Sequence, residues 1–174
     1  CNLLMMICFA ICLCSLAFVA SASKFIFSET FDDAQDVFSS GKWVKSGAEK
    51  YVGQPLMIKA SDNPAPGFED DKGLTLTKEM KFYGVSSTFP SELTFPKEKE
   101  LVIQYELKFD EAWTCAGAYL KMPRAEAGGD LSELNSDTPY TIMFGPDKCG
   151  PGSEKIHFIF QHQNPLTQEW EEKH

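Results

Sequence analysis

The chain has 174 residues, and all 16 basic and 25 acidic side chains fall after residue 23, so the formal charge of −9 belongs to the part beyond that point. An acidic excess without clustered Lys and Arg excludes a phosphate-binding role on nucleic acid and suits solubility or divalent cations. A hydrophobic content of 43%, with 14 Phe, is enough for one sizeable core, and one domain is expected.

Residues 3–19 form an apolar run that closes on the small residues Ala20, Ser21, Ala22 and Ser23, the pattern of a secretory leader over residues 1–22. A membrane-spanning helix is the other reading, because about 20 apolar residues can cross a bilayer. Cys1, Cys8, Cys12 and Cys14 would leave with the leader, and Cys115 and Cys149 would remain. An even pair in an oxidising compartment reads as one disulfide, with two separate buried thiols as the alternative. The start at Cys1 and the stop at His174 inside a polar stretch read as two truncated ends.

Past the leader, apolar residues recur with period two rather than at helical spacing. Strands are predicted at residues 25–27, 74–77, 83–89, 101–109, 118–122, 140–144 and 156–162. Segment 101–109 is the clearest, with Leu101, Ile103, Tyr105, Leu107 and Phe109 on one side. Turn chemistry at residues 63–67, 127–130 and 149–152 separates them, and residues 96–100 read as a charged, solvated turn. Many short strands with Gly/Pro turns and no helix predict an antiparallel β-sandwich or barrel.

A sandwich glycosidase needs two carboxylates flanking one bond. Glu106 and Asp110 come nearest, but Lys108 lies between them on the same side of the strand. Glu169, Glu171 and Glu172 surround Trp170 and read most simply as an exposed acidic run. His157, His162 and His174 share no metal-ligand spacing, and no nucleophile elbow, P-loop or dinucleotide fingerprint occurs. Tyr119 and Lys121, two apart on a predicted strand, share a face and would make a sugar platform of ring and cationic donor, or an ordinary solvent-facing pair. Tyr140 and Met143 have opposite parity and can share a pocket only if the chain bends near Gly145 and Pro146.

The segment TPYTIMFGPDKCGPG at residues 138–152, CAGAYLKM at 115–122, IHFIFQHQNPLTQEWEEKH at 156–174, and the upstream SETFDD and DDKGLTLT are similar to blocks of the calnexin and calreticulin family, nearer to calnexin in the NP-x-T and EEKH motifs. The resemblance implies a legume-lectin-like, concanavalin-type antiparallel sandwich, with residues 23–174 a partial lumenal lectin domain. It implies a non-enzymatic lectin chaperone of the endoplasmic reticulum that binds monoglucosylated N-glycans on unfolded, newly made glycoproteins. A secreted β-sandwich glycoside hydrolase is the alternative. By position, the glycan pocket falls on Tyr119, Lys121, Tyr140, Met143 and Ile159, with Asp147 in the calreticulin pattern and Glu172 in the calnexin pattern. The family disulfide falls on Cys115 and Cys149, and a structural Ca2+ site on Thr30 and Asp71, with carbonyls near Asp70 and Lys72 as weaker candidates. Folding enzymes would be recruited by an arm outside these residues, and a membrane would be met only through a downstream span. Two departures stand out: Ala116 beside the cysteine, where the family has Gly, and Trp113 before it.

Overall fold

The computed structural model describes residues 25–32, 36–90, 100–109 and 112–174. The leader expected over residues 1–22, most of the charged turn and the acidic pair at 110 and 111 lie outside them. Among the described residues all strand pairings are antiparallel, and helix is confined to two 3-10 turns, Ala125–Ala127 and Leu131–Glu133.

Two small ribbons come first: β1 (Trp43–Lys45) pairs with β4 (Val85–Ser87), and β2 (Leu56–Ala60) with β3 (Lys72–Leu76). Trp43 anchors the first, because its ring meets Phe27 and Phe31 with centroids 6.0 and 5.7 Å apart. Its indole N–H donates to Glu29 at 3.1 Å, which gives the polar end of an apolar ring its partner. Phe27, expected in a strand, serves this cluster without pairing as one. The first ribbon docks through the buried Ser46, whose hydroxyl donates to the Leu134 carbonyl at 2.6 Å, and through Gly47 N–H, which reaches Ser132 O at 2.7 Å.

The main sheet has five strands. β7 (Tyr140–Cys149) carries β8 (Lys155–Gln163) and then β9 (Trp170–Lys173) on one side. Its other side holds two consecutive edge pieces, β6 (Leu120–Pro123) and β5 (Cys115–Gly117). The sequence predicts a strand ending at residue 144 and permits a bend near Gly145 and Pro146, yet β7 continues to Cys149. Pro146 lacks an N–H but still sits opposite Ile156, and its carbonyl accepts from Ala118 N at 3.1 Å. Gly145 allows the edge chain to cross closely: a Cβ there would stand 2.0 Å from the Ala118 carbonyl oxygen. Full ladder pairing therefore outweighs local turn chemistry.

Segment 101–109 takes no ladder partner among the described residues, against expectation. Its alternation survives as burial, with Leu101, Ile103 and Tyr105 half-buried and Val102, Gln104 and Glu106 exposed. Tyr105 packs at a tilt against Phe144, with centroids 5.4 Å apart, and donates to Ala118 O at 3.0 Å, so the segment straps the sheet instead of extending it.

Period two sorts the sheet into two faces. Leu120, Met122, Ile142, Phe144, Phe158 and Phe160 face one way by register. Lys121, Met143, Ile159, Gln161 and Glu172 face the other.

Candidate functional site

The polar face is organised by register. Lys121 on β6 lies directly opposite Met143 on β7, which lies opposite Ile159 on β8, so three side chains form one row across three strands. Ile159 is only 5% exposed and makes the floor of the row. The Lys121 ammonium donates to the Ser136 carbonyl at 2.8 Å and stands 5.0 Å from the Tyr140 ring centroid. Burial pushes its pKa below the ordinary lysine value, as desolvation disfavours the charged form.

Tyr140 reaches this face despite its parity. Met122 pairs with Ile142 but Pro123 with Tyr140, so β7 carries an extra residue at Thr141. Such a bulge turns the side chain beyond it, here Tyr140, to the other face. The bend expected at Gly145 and Pro146 is not the device. The Tyr140 hydroxyl donates to Glu172 on β9 at 2.6 Å, and Gln161 donates to the same carboxylate oxygen at 3.0 Å. Burial, then the bond to and charge of Glu172, push Tyr140 up to about 12. The same hydroxyl, then Gln161, and the His174 imidazole 3.1 Å away hold Glu172 below the ordinary carboxylate value.

At the far end of the row Tyr119 lies just before β6 rather than within it. Its ring folds over Gly117, where a Cβ would come within 2.7 Å of it. The hydroxyl lies 3.1 Å from His157 Nδ1, and Asp147 stands 3.8 Å from that nitrogen. Burial, followed by Asp147, pushes Tyr119 up to about 12. Cys115 and Cys149 are bonded and face each other in register, two positions from the Gly117 and Asp147 pair. The crosslink thus clamps the edge that presents Tyr119. Ala116 is exposed on β5 opposite Lys148, and Trp113 stacks on Phe109 at 4.3 Å, each accommodated without disturbing the row.

Thr30 and Asp71 meet around a third residue, Asp32. The Lys72 backbone N–H donates to the Asp32 carboxylate at 3.1 Å, and with the Thr30 and Asp71 side chains it lowers the Asp32 pKa. Two carboxylates and a hydroxyl are hard oxygen donors of the kind Ca2+ takes, although six to eight oxygens are its usual set. Among the described residues no three His, Cys, Asp or Glu side chains gather as a metal site, so carbonyl or water oxygens would have to complete it. Beyond the residues that the resemblance names, the structure adds Asp32, His157, weighed in the sequence only as a metal ligand, and Gln161. The last two share parity with Ile159 on β8, and Asp32 lies inside the SETFDD block, so each had a positional signal.

Comparison with known proteins gives a consistent picture. The family model described as Calreticulin family matches residues 27–174. A calnexin homologue of Aspergillus fumigatus is 44% identical over 140 residues, covering 80% of this chain and 23% of the relative. Calnexin homologue 1 of Arabidopsis thaliana is 36% identical over 95% of this chain and 30% of its own length, and calmegin of Bos taurus 38% over 85% and 24%. The chain therefore spans between about a quarter and a third of these relatives. Among solved structures, the T. cruzi calreticulin globular domain superposes with a TM-score of 0.53 at 28% identity, covering 71% of this chain and 44% of that one. The fold is the concanavalin-like β-sandwich of that domain.

Proposed function

The chain belongs to the calreticulin family, and on that premise we propose that it is the sugar-binding part of a lectin chaperone in the lumen of the endoplasmic reticulum. It holds monoglucosylated N-glycans of newly made glycoproteins by reversible binding and carries out no turnover. The observation that supports this most is the single polar face on which Lys121, Met143 and Ile159 form a row, flanked by Tyr140 with Glu172 and by Tyr119 with Asp147. Rings and a half-buried cation supply stacking surface and hydroxyl partners, while the flanking carboxylates accept from sugar hydroxyls. Because the Glu172 acceptor is already ionised and tied to Tyr140, it meets a ligand preorganised.

Residues 1–22 act as a leader cleaved after Ala22, leaving residues 23–174 as the lectin part. Ca2+ would be held by Thr30, Asp32 and Asp71 and would supply structural crosslinking of the first ribbons. Among the described residues no helix is long and apolar enough to cross a membrane. Folding enzymes would engage outside these residues. An array of N-glycans differing in terminal glucose tests the reading: signal confined to glucose-capped oligomannose supports it, and equal signal with or without glucose refutes it.

A further inference from the structure

Resting on the reading of this face as sugar-binding, we propose that His157 is a positioning residue of the site, which holds Tyr119 and Asp147 in their binding arrangement while neutral and loosens the grip on a glycan when it takes up a proton. The register puts it there. Tyr119 comes one residue before Leu120, which pairs with Phe144, and His157 pairs with Gly145, so the two side chains flank a position of β7 that carries none. Their rings meet at 6.2 Å with a 32° tilt, and the Tyr119 hydroxyl lies 3.1 Å from His157 Nδ1. In the next row Asp147 stands opposite both Gly117 and Lys155, with its carboxylate 3.8 Å from the same nitrogen. One imidazole nitrogen therefore faces both polar groups at this end of the sugar row.

What that nitrogen does depends on charge. A neutral imidazole has one N–H and one acceptor nitrogen, so it shares a single hydrogen bond with the Tyr119 hydroxyl in either direction. Protonation makes both nitrogens donors, and Nδ1–H then has the Tyr119 oxygen and the Asp147 carboxylate in front of it, the carboxylate favoured by its opposite charge. An Asp147 drawn onto an imidazolium has less to offer a sugar hydroxyl, and Tyr119 loses its neutral partner. The surrounding charges are mixed: Asp147 on β7 attracts the proton, and Lys155, 3.9 Å from Asp147, repels it. Past β9, His174 lies 6.3 Å away ring to ring and is itself 3.1 Å from Glu172. With 28% of its side chain exposed, His157 exchanges protons with solvent. Imidazole ordinarily changes charge between about pH 5 and 8. Glu172 is held below its ordinary value and Tyr119 and Tyr140 above theirs, so in that window the charge of this face changes through its histidines.

The experiment is calorimetric titration of the full chain with a glucose-capped oligomannose glycan at about pH 7.5 and about pH 5.5, on either side of imidazole titration. Wild type should bind about tenfold more weakly in acid, the size of one lost hydrogen-bonding partner. Midway between, titrations in two buffers of different ionisation enthalpy should show protons released on binding, because binding and deprotonation favour each other reciprocally. His157→Asn, which keeps a polar group near the Nδ1 position and does not titrate, should hold its affinity within about twofold across the range and release no protons. His162→Asn, on the opposite face and 4.0 Å from Glu171, should keep the wild-type pH dependence. If His157→Asn lowers the thermal midpoint, His157→Gln and the proton release of wild type carry the test. Equal wild-type affinity in both buffers, or proton release that persists without His157, overturns the proposal and leaves the lectin reading standing. Wild type that gives no heat with the glycan at neutral pH refutes both.

Discussion

Tyr140 on β7 reaches past β8 and donates a 2.6 Å hydrogen bond to Glu172 on β9. The bond joins a ring that is 9% exposed to a carboxylate at the sheet edge and shifts both groups in opposite directions. Folding disfavours protonating Glu172, so its contribution is present above the ordinary value of 4.5 and is lost as pH falls through the lowered one. The thermal midpoints of wild type and Glu172→Gln should differ at neutral pH and converge as pH falls below 4.5 and through the lowered value. A gap that persists unchanged in acid would mean that the ionised bond contributes nothing.

The alkaline limb has the reverse sign. Tyr119 and Tyr140 are both raised from 10.0 to about 12, so their contribution is intact below pH 10 and fades as pH climbs towards 12. Spectrophotometric titration should show these two ionising late, with Asp147→Asn advancing Tyr119 and Glu172→Gln advancing Tyr140. Ionisation of Tyr119 and Tyr140 at the ordinary value of 10.0 would contradict the described environments.

Much of this was readable in the sequence, and the failures have physical causes. Period two gave the all-β class and most of β8, since one buried face imposes alternation. β9 was hidden because Glu171, Glu172 and Lys173 form an edge strand whose charges imitate a loop. β7 was cut short because turn propensity at Gly145 and Pro146 is local, whereas the ladder on both sides is not. Segment 101–109 shows the opposite error: its alternation marks a half-buried strap without a ladder partner among the described residues. The meeting of Tyr140 with Lys121 depends on a bulge at Thr141 that residue parity alone denies.

Cys115 and Cys149 close a separation of 34 residues while holding the edge that carries Tyr119. Reduction, or the double change to Ser, should cost about 4 kcal/mol on the chain-entropy estimate and lower the thermal midpoint by several degrees. Peptide mapping without reductant should recover the crosslinked pair. Freely alkylated thiols in native protein, or an unchanged midpoint after reduction, would contradict this role.

Calcium should raise the thermal midpoint, because a ligand of the folded state stabilises it by mass action, about 2.7 kcal/mol at a hundredfold excess over Kd. Asp71→Ala and Asp32→Ala should each remove most of the response, whereas Asp62→Ala, at a carboxylate paired with Lys59 elsewhere, should not. Differential scanning with calcium and then with chelator reads this directly. A full response in both Asp71 and Asp32 variants would place the ion elsewhere.

The most direct measurement is calorimetric titration with a glucose-capped oligomannose glycan and with the same glycan lacking its glucose, for wild type and for Tyr119→Phe, Lys121→Ala and Tyr140→Phe. Losing one donor leaves its partners unpaired at about 1–3 kcal/mol, so each variant should bind the capped glycan roughly ten- to a hundredfold more weakly, and the uncapped glycan should give no heat with any of them. Capped-glycan binding that survives all three substitutions would contradict the assignment of this face as the sugar site.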